Sequence, residues 1–333
     1  MSNPRWLLTW LLATAITLGG WFAFEKYWRT QGYAPTVMDS LDLWSQHRAR
    51  AVKAAPPQRI ALLGASRIQY GFSPAVFRDE AFKMGLNVDP IMLAVNGHYP
   101  LAALRDLADD PKFTGTVIIG CDSRGMDRKV WEMQAKQIAH YHHDWSPSRE
   151  VHRRLLTRVQ EHAIAARPDF AFVTLIKRTI DRQGAPYREY VTFYRDRSGG
   201  TDYARSNIAA VRSARVADLR EYYATARAPL PEAWLSDAHE IVRWVKRINT
   251  RGGKVVFYRE PVSGEHIELD EQNFPREKYW DKLVAIMPAT MIDFRDYPPL
   301  NIDTPDTSHI DIKDIDRHTR AFVQVLRQLK VLP

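Results

Sequence analysis

Arg59-Ile-Ala-Leu-Leu-Gly-Ala-Ser-Arg67 decides how the rest of this chain is read. Ile60 to Leu63 form an unbroken apolar run, the pattern of a strand buried on both faces in a parallel sheet covered by helices. Small residues come at once after it, and Ser66 stands on the turn where the strand ends. In open α/β sheets that edge is where ligands bind. A serine there is placed to act as a nucleophile once a base is brought to it.

The pattern recurs along the chain. Pro90–Val95, Thr116–Cys121, Lys254–Tyr258 and Thr290–Phe294 read as four further strands. Helices are expected over about 74–84, 100–108 with Pro100 in its first turn, 231–250 stopped by Arg-Gly-Gly, 276–287, and 311–330. The alternation predicts an α/β fold, a three-layer sandwich around a mostly parallel five-stranded sheet. Between about 125 and 230 the rhythm breaks. Helical stretches at 129–143 and 148–166 precede a polar run, Arg195-Asp-Arg-Ser-Gly-Gly200. This region reads as a helical insertion capping the site.

The amino-terminal stretch is of another kind. Trp6 to Phe24 carries no charge over 19 residues, which at about 1.5 Å per residue approaches the roughly 30 Å of a bilayer's hydrocarbon. Trp6, Trp10, Trp21 and Trp28 lie toward its ends, where amphipathic rings favour the headgroup zone. The run exceeds a usual signal-peptide core, and no clear A-x-A site precedes Glu25. The expected organisation is a transmembrane anchor over 1–30, a stalk over 31–57, and an α/β domain over 58–333. One early span fits export of the domain attached to it. The flanking cations, Arg5 on one side and Lys26 and Arg29 on the other, barely discriminate orientation.

A net charge of +8 with a pI near 9.5 suits a basic surface facing anionic lipid headgroups or an acidic polysaccharide. No nucleic-acid recognition motif accompanies that charge. The single cysteine, Cys121, excludes an intrachain disulfide framework. His140, His142, His143 and Asp144 crowd together, but without Cys or an H-E-x-x-H pattern they read as histidines near a helix end, not as a metal site.

Asp306-Thr-Ser-His309, just before the closing helix, supplies what Ser66 lacks. An imidazole can take the serine proton while a carboxylate three positions away holds the ring in the required tautomer. With this pair in place the chain resembles the SGNH/GDSL hydrolase superfamily, especially its membrane-anchored members associated with O-acetylation of bacterial polysaccharides. Leu63-Gly-Ala-Ser-Arg67 resembles the first block of that family and makes Ser66 the nucleophile. Leu93-Ala-Val-Asn-Gly97 resembles the second, whose glycine gives an N–H to the oxyanion hole, a role carried to Gly97. Ile119-Gly-Cys-Asp122 lies where the third block has Gly-x-Asn. Asp306-Thr-Ser-His309 matches the last, with His309 as base and Asp306 as its orienting partner.

Two positions depart from the family pattern. Ala65 stands where an Asp usually precedes the serine, and Asp122 replaces the asparagine. An ionised carboxylate cannot donate to an oxyanion. Asp122 is therefore expected to be protonated, turned away, or relieved of that role by Asn96. Arg67 and Arg124 are expected to be solvated or salt-bridged, with anion binding the sharper alternative. Arg259-Glu-Pro-Val262 is either a pocket wall or an ordinary turn.

The resemblance implies an exported enzyme on the bacterial inner membrane, its carboxy-terminal domain in the periplasm, needing no cofactor. It would act as O-acetyltransferase or acetylesterase on a surface or secreted polysaccharide, with a multi-span membrane acyltransferase as acyl donor. The alternative is a catalytically silent scaffold subunit of a polysaccharide-modification or export complex.

Overall fold

The computed structural model describes residues 4–332. They group into two compact units. One joins the chain up to Met38 with Val151–Glu189, and the other joins Asp39–Glu150 with the chain from Tyr190 onward. In chain order the helices are α1 Pro4–Thr30, α2 Leu41–Ala51, α3 Ser66–Gly71, α4 Pro74–Lys83, α5 Leu101–Asp109, α6 Ala135–His143 and α7 Pro147–His162. They continue as α8 Phe172–Ile180, α9 Ile208–Thr225, α10 Pro231–Thr250, α11 Glu265–Asn273, α12 Trp280–Ile286 and α13 Ile315–Gln328. The strands are β1 Gln58–Leu63, β2 Val88–Met92, β3 Thr116–Gly120, β4 Val191–Phe193, β5 Gly199–Thr201, β6 Lys254–Arg259 and β7 Thr290–Asp293.

Five of these strands form one sheet in the order β2-β1-β3-β6-β7, and every neighbouring pair is parallel. The α/β class and the five-stranded parallel sheet are as the apolar runs predict. Leu63 pairs with Ile119, and Gly120 pairs with Tyr258. The turns after β1, β3 and β6 therefore leave the sheet at one common edge.

Side chains alternate across each strand, and both faces are buried. Ala61, Leu63, Val117, Ile119, Val255 and Phe257 join one core cluster, with Leu104 of α5, Val245 of α10 and Leu283 of α12. Ile60, Leu62, Ile118, Val256 and Tyr258 join the other, with Phe77 of α4 and Phe322 of α13. Each fully buried Leu, Ile or Phe contributes about 1.5–3 kcal/mol relative to exposure. That holds the sheet edge rigid beneath the loops it carries.

Local chemistry sets the helix starts. The Ser73 hydroxyl accepts from the Val76 N–H, with Pro74 in the first turn of α4, and Ser40 caps α2 in the same way through Leu43. Much of the segment expected as a stalk is packed. On α2, Trp44 is buried and donates its indole N–H to the Leu93 carbonyl at 2.9 Å. Arg48, fully buried, pairs with Asp106 and Asp110.

The region expected as one helical insertion is divided. Residues 151–189 group with the amino-terminal helix, whereas α6, the β4–β5 ribbon and α9 belong with the sheet. The polar run at 195–200 forms the turn and second strand of that antiparallel ribbon. Arg197, nearly inaccessible, grips Asp39 through two nitrogens and donates to the carbonyls of Met92 and Ala94.

In the other unit, α1 runs for 27 residues. Residues Arg5–Thr30 are long and apolar enough to cross a membrane, with a mean hydropathy of 1.7 in their most apolar window. Its carboxy-terminal end packs Phe24 and Trp28 against Tyr33, Ile164 and Phe170. Glu25 accepts from the Ala165 N–H, and Arg29 donates to the His162 carbonyl.

Candidate active site

Ser66 is the first residue of α3, three positions beyond the end of β1. Gly64 allows the turn, because a β-carbon there would lie 2.4 Å from Ile68 Cγ1. The base arrives from the far end of the sequence. His309 Nε2 stands 2.8 Å from Ser66 Oγ, and His309 Nδ1 stands 2.8 Å from Asp306 Oδ2. The other carboxylate oxygen of Asp306 accepts the backbone N–H groups of Ser308 at 2.9 Å and His309 at 2.7 Å. Thr307 bends the loop in the left-handed region, at φ +74°. The three side chains singled out by sequence meet in one chain of hydrogen bonds.

The electrostatics fit a neutral base beside an ionised carboxylate. Burial lowers the His309 pKa below its ordinary value, with Asp306 opposing. Burial alone would raise Asp306, but the His309 ring and the two backbone N–H groups hold its carboxyl well below the usual range. The consistent tautomer has Nδ1–H donating to Asp306, leaving the Nε2 lone pair toward the serine hydroxyl.

The ribbon braces the loop that carries the base. The Thr201 hydroxyl donates to the Ile310 carbonyl at 2.6 Å, and Thr201 bridges to Asp311. Tyr70, also on α3, packs its ring 5.8 Å from the His309 ring. A segment whose composition suggests a loose turn thus fixes the imidazole.

Ser66 and His309 open into a cleft of about 240 Å³. Gly97 lines it with φ +73°, a conformation that favours glycine. Asn96 is exposed and does not line the cleft; its N–H donates to Gln69 Oε1 at 2.8 Å and its carbonyl meets His98 Nδ1.

Asp122 lies in the cleft wall among groups that favour its ionised form. Burial would raise its pKa, but Arg124, Arg67 and the Gly125 N–H hold the carboxyl well below its ordinary value. One oxygen accepts from Gly125 at 2.7 Å, and the other faces Arg67 at 3.2 Å and Arg124 at 3.4 Å. Of the three expectations for this residue, these contacts disfavour protonation, and Asn96, outside the cleft lining, is not placed to take over the role. Arg67 and Arg124 form the expected salt bridges, and both still line the cleft.

Glu260, after β6, is part of the wall rather than an ordinary turn. Burial raises its carboxyl to about 7, with Arg67 opposing. Gly120 makes room for it, since a β-carbon there would fall 2.1 Å from Glu260 Oε1. His266 also lines the cleft, and burial, then Arg67, keep it neutral.

Sequence reasoning missed the wall supplied by α9. Arg215, Asp218, Leu219 and Tyr222 line the cleft, and Arg215 Nε stands 3.6 Å from Asp306 Oδ2. The only signal was their spacing on one helix, with nothing to say which cleft that helix would face. The histidine cluster lies elsewhere. His140 contacts Ser45 and Asp42, and His142 contacts Asp106 at 2.6 Å. Among the described residues no group of three or more His, Cys, Asp or Glu side chains is placed to hold a metal ion.

No protein-family model matches the chain, and no curated protein matches it in sequence. Its function is read from the chemistry of the cleft.

Proposed function

We propose that this protein is a membrane-anchored serine acyl-transfer enzyme of the SGNH/GDSL type. The observation that carries the reading is the continuous relay from Ser66 Oγ through His309 to Asp306, with both links at 2.8 Å. A hydroxyl, a neutral imidazole and an ionised carboxylate in that order are the working parts of nucleophilic acyl transfer.

In the proposed reaction Ser66 Oγ attacks an ester carbonyl while its proton passes to His309 Nε2. The tetrahedral oxyanion is met by backbone N–H groups at Ser66 and Gly97. Loss of one such donor typically costs about 3–4 kcal/mol of barrier. The intermediate collapses as the C–O bond of the leaving alcohol breaks and His309 returns the proton to it. An acceptor hydroxyl then gives its proton to His309 and attacks the acyl-serine; the bond from the acyl carbon to Ser66 Oγ breaks, and His309 returns the proton to Oγ. With a sugar hydroxyl as acceptor the enzyme is an O-acetyltransferase; with water it is an esterase.

The resemblance of the four sequence blocks favours O-acetylation of a bacterial surface or secreted polysaccharide. In that setting α1 is an inner-membrane anchor, the sheet-bearing unit is extracytoplasmic, and a multi-span acyltransferase delivers the acyl group. The basic balance of the chain supports an acidic glycan as acceptor.

One observation favours a silent scaffold instead. An ionised carboxylate, Asp122, shares the cleft in which an oxyanion would form. Covalent labelling with a fluorophosphonate probe decides between the readings. An active relay gives stoichiometric modification of Ser66 that Ser66→Ala abolishes. A folded chain left unlabelled would mean that the relay is not a catalyst. A labelled acetyl donor, supplied with and without glycan, then separates transfer from hydrolysis.

A further inference from the structure

Outside the cleft, the most conspicuous unassigned feature is α8. None of its residues is buried. Phe172, Val173, Ile176 and Ile180 are 78, 76, 44 and 74% exposed. At about 100° per residue these four share one arc of roughly 100°, the width of a core-facing stripe on an ordinary surface helix. Here the stripe has no core to face. The flank beside Phe172 is fastened by Leu175, which packs against the cluster of Tyr33, Ile164 and Phe170.

That cluster is also where α1 ends its apolar run. The charge-free stretch closes at Phe24. The Phe24 and Trp28 rings pack 6.3 and 4.9 Å from the ring of Phe170, and α8 begins two residues later, at Phe172. The exposed stripe therefore starts level with the point at which the spanning helix gives way to Glu25, Lys26 and Arg29. Lys177, Arg178 and Arg182 accompany it against one acid, Asp181. An apolar stripe flanked by cations, held at the end of a spanning helix, has the make-up of a helix lying in the headgroup region of an anionic leaflet.

We infer that α8 is an interfacial membrane-binding helix, seating Phe172, Val173, Ile176 and Ile180 among the acyl chains beside the anchor while its cations meet anionic headgroups. This inference rests on α1 spanning the bilayer, as in the proposed function.

The test uses the full-length chain in nanodiscs of phosphatidylcholine with a minority of phosphatidylglycerol. Cys121 is buried, so single introduced cysteines can be labelled selectively with an environment-sensitive fluorophore. Three sites serve: Ile176→Cys on α8, Leu12→Cys on α1, and Phe82→Cys, an exposed position on α4. A shallow spin-labelled lipid should quench the Ile176→Cys label by roughly half, as for a probe some 5–10 Å below the surface, and leave the Phe82→Cys label bright. A deep spin-labelled lipid should quench the Leu12→Cys label.

Quenching at Leu12→Cys without quenching at Ile176→Cys overturns the inference while leaving the anchor intact, and would assign the stripe to a protein partner. No quenching at Leu12→Cys removes the anchor and the inference with it. Adding Phe172→Asp and Ile180→Asp to the Ile176→Cys chain should roughly halve the quenching, since charge on such a face opposes insertion. Unchanged quenching in that chain would equally overturn the inference. Because no residue of α8 is buried, these substitutions leave the packing of the chain in place.

Discussion

Replacing Asp306 by Asn tests the relay at its least exposed member. The carboxylate accepts three hydrogens: two from the backbone N–H groups of Ser308 and His309 on Oδ1, and one from the His309 ring on Oδ2. An asparagine that keeps the two backbone bonds must present its NH2 group to His309 Nδ1. A donor facing that nitrogen moves the ring proton to Nε2, which then points a hydrogen at Ser66 and cannot accept one. The flipped amide is worse, leaving two buried N–H groups unpaired at about 1–3 kcal/mol each. The wrong tautomer is therefore favoured and the shape is kept. In a serine protease the equivalent change lowers kcat about 10⁴-fold, or about 5 kcal/mol of barrier at 1.36 kcal/mol per decade. The assay is hydrolysis of p-nitrophenyl acetate alongside the rate of fluorophosphonate labelling, with thermal melting as the check on folding. A folded Asp306→Asn chain within about ten-fold of the parent rate would refute the orienting role of this carboxylate.

Buried charge gives two more expected outcomes. Asp122→Asn supplies the amide that the resembling family would place there, yet leaves Arg67 and Arg124 facing each other without their shared counter-charge; it should destabilise the protein by about 3 kcal/mol, and an unchanged urea midpoint would show that the pair does not depend on it. Relative to a His318→Gln chain, a comparison that cancels the opposing contribution of Glu260 with its carboxyl raised to about 7, stability should also fall as pH drops from about 6.5 toward 4. Burial lowers His318 to about 4, so between those values the unfolded chain binds the proton that the folded chain refuses, and a gap that wide is worth about 3 kcal/mol. His47, His266 and His309 are shifted in the same direction. The difference in urea midpoint between the two chains should fall steadily across that range, and a flat difference would contradict the buried, neutral assignment of His318.

What sequence disclosed was what local pattern encodes. The strands showed themselves because each is an unbroken apolar run, and a parallel sheet buried on both faces requires that. Asp306 and His309 could be paired because they lie three positions apart, and Ser66 could be placed because its turn comes directly after a strand. Contacts made over distance left no such trace. Nothing near Arg197 announces that a guanidinium in a polar Gly-rich run will be buried against β2, or that Thr201 will brace the loop after His309. The charge state of Asp122 was equally hidden, since it depends on Arg67 meeting Arg124 across the cleft. Trp44 and Arg48 sit in a stretch that reads as a lead-in, and only the acids on α5 explain the burial of Arg48.

The separation of 243 positions between Ser66 and His309 has a consequence for the newborn chain. A serine hydroxyl without its imidazole is an ordinary alcohol with little reactivity toward esters. On a ribosome the segment bearing Ser66 emerges first, so under the proposed reaction it stays unarmed until the chain through His309 has been made and the loop ahead of α13 has been set. Any fragment released early, or clipped ahead of residue 306, would be chemically inert toward the esters around it.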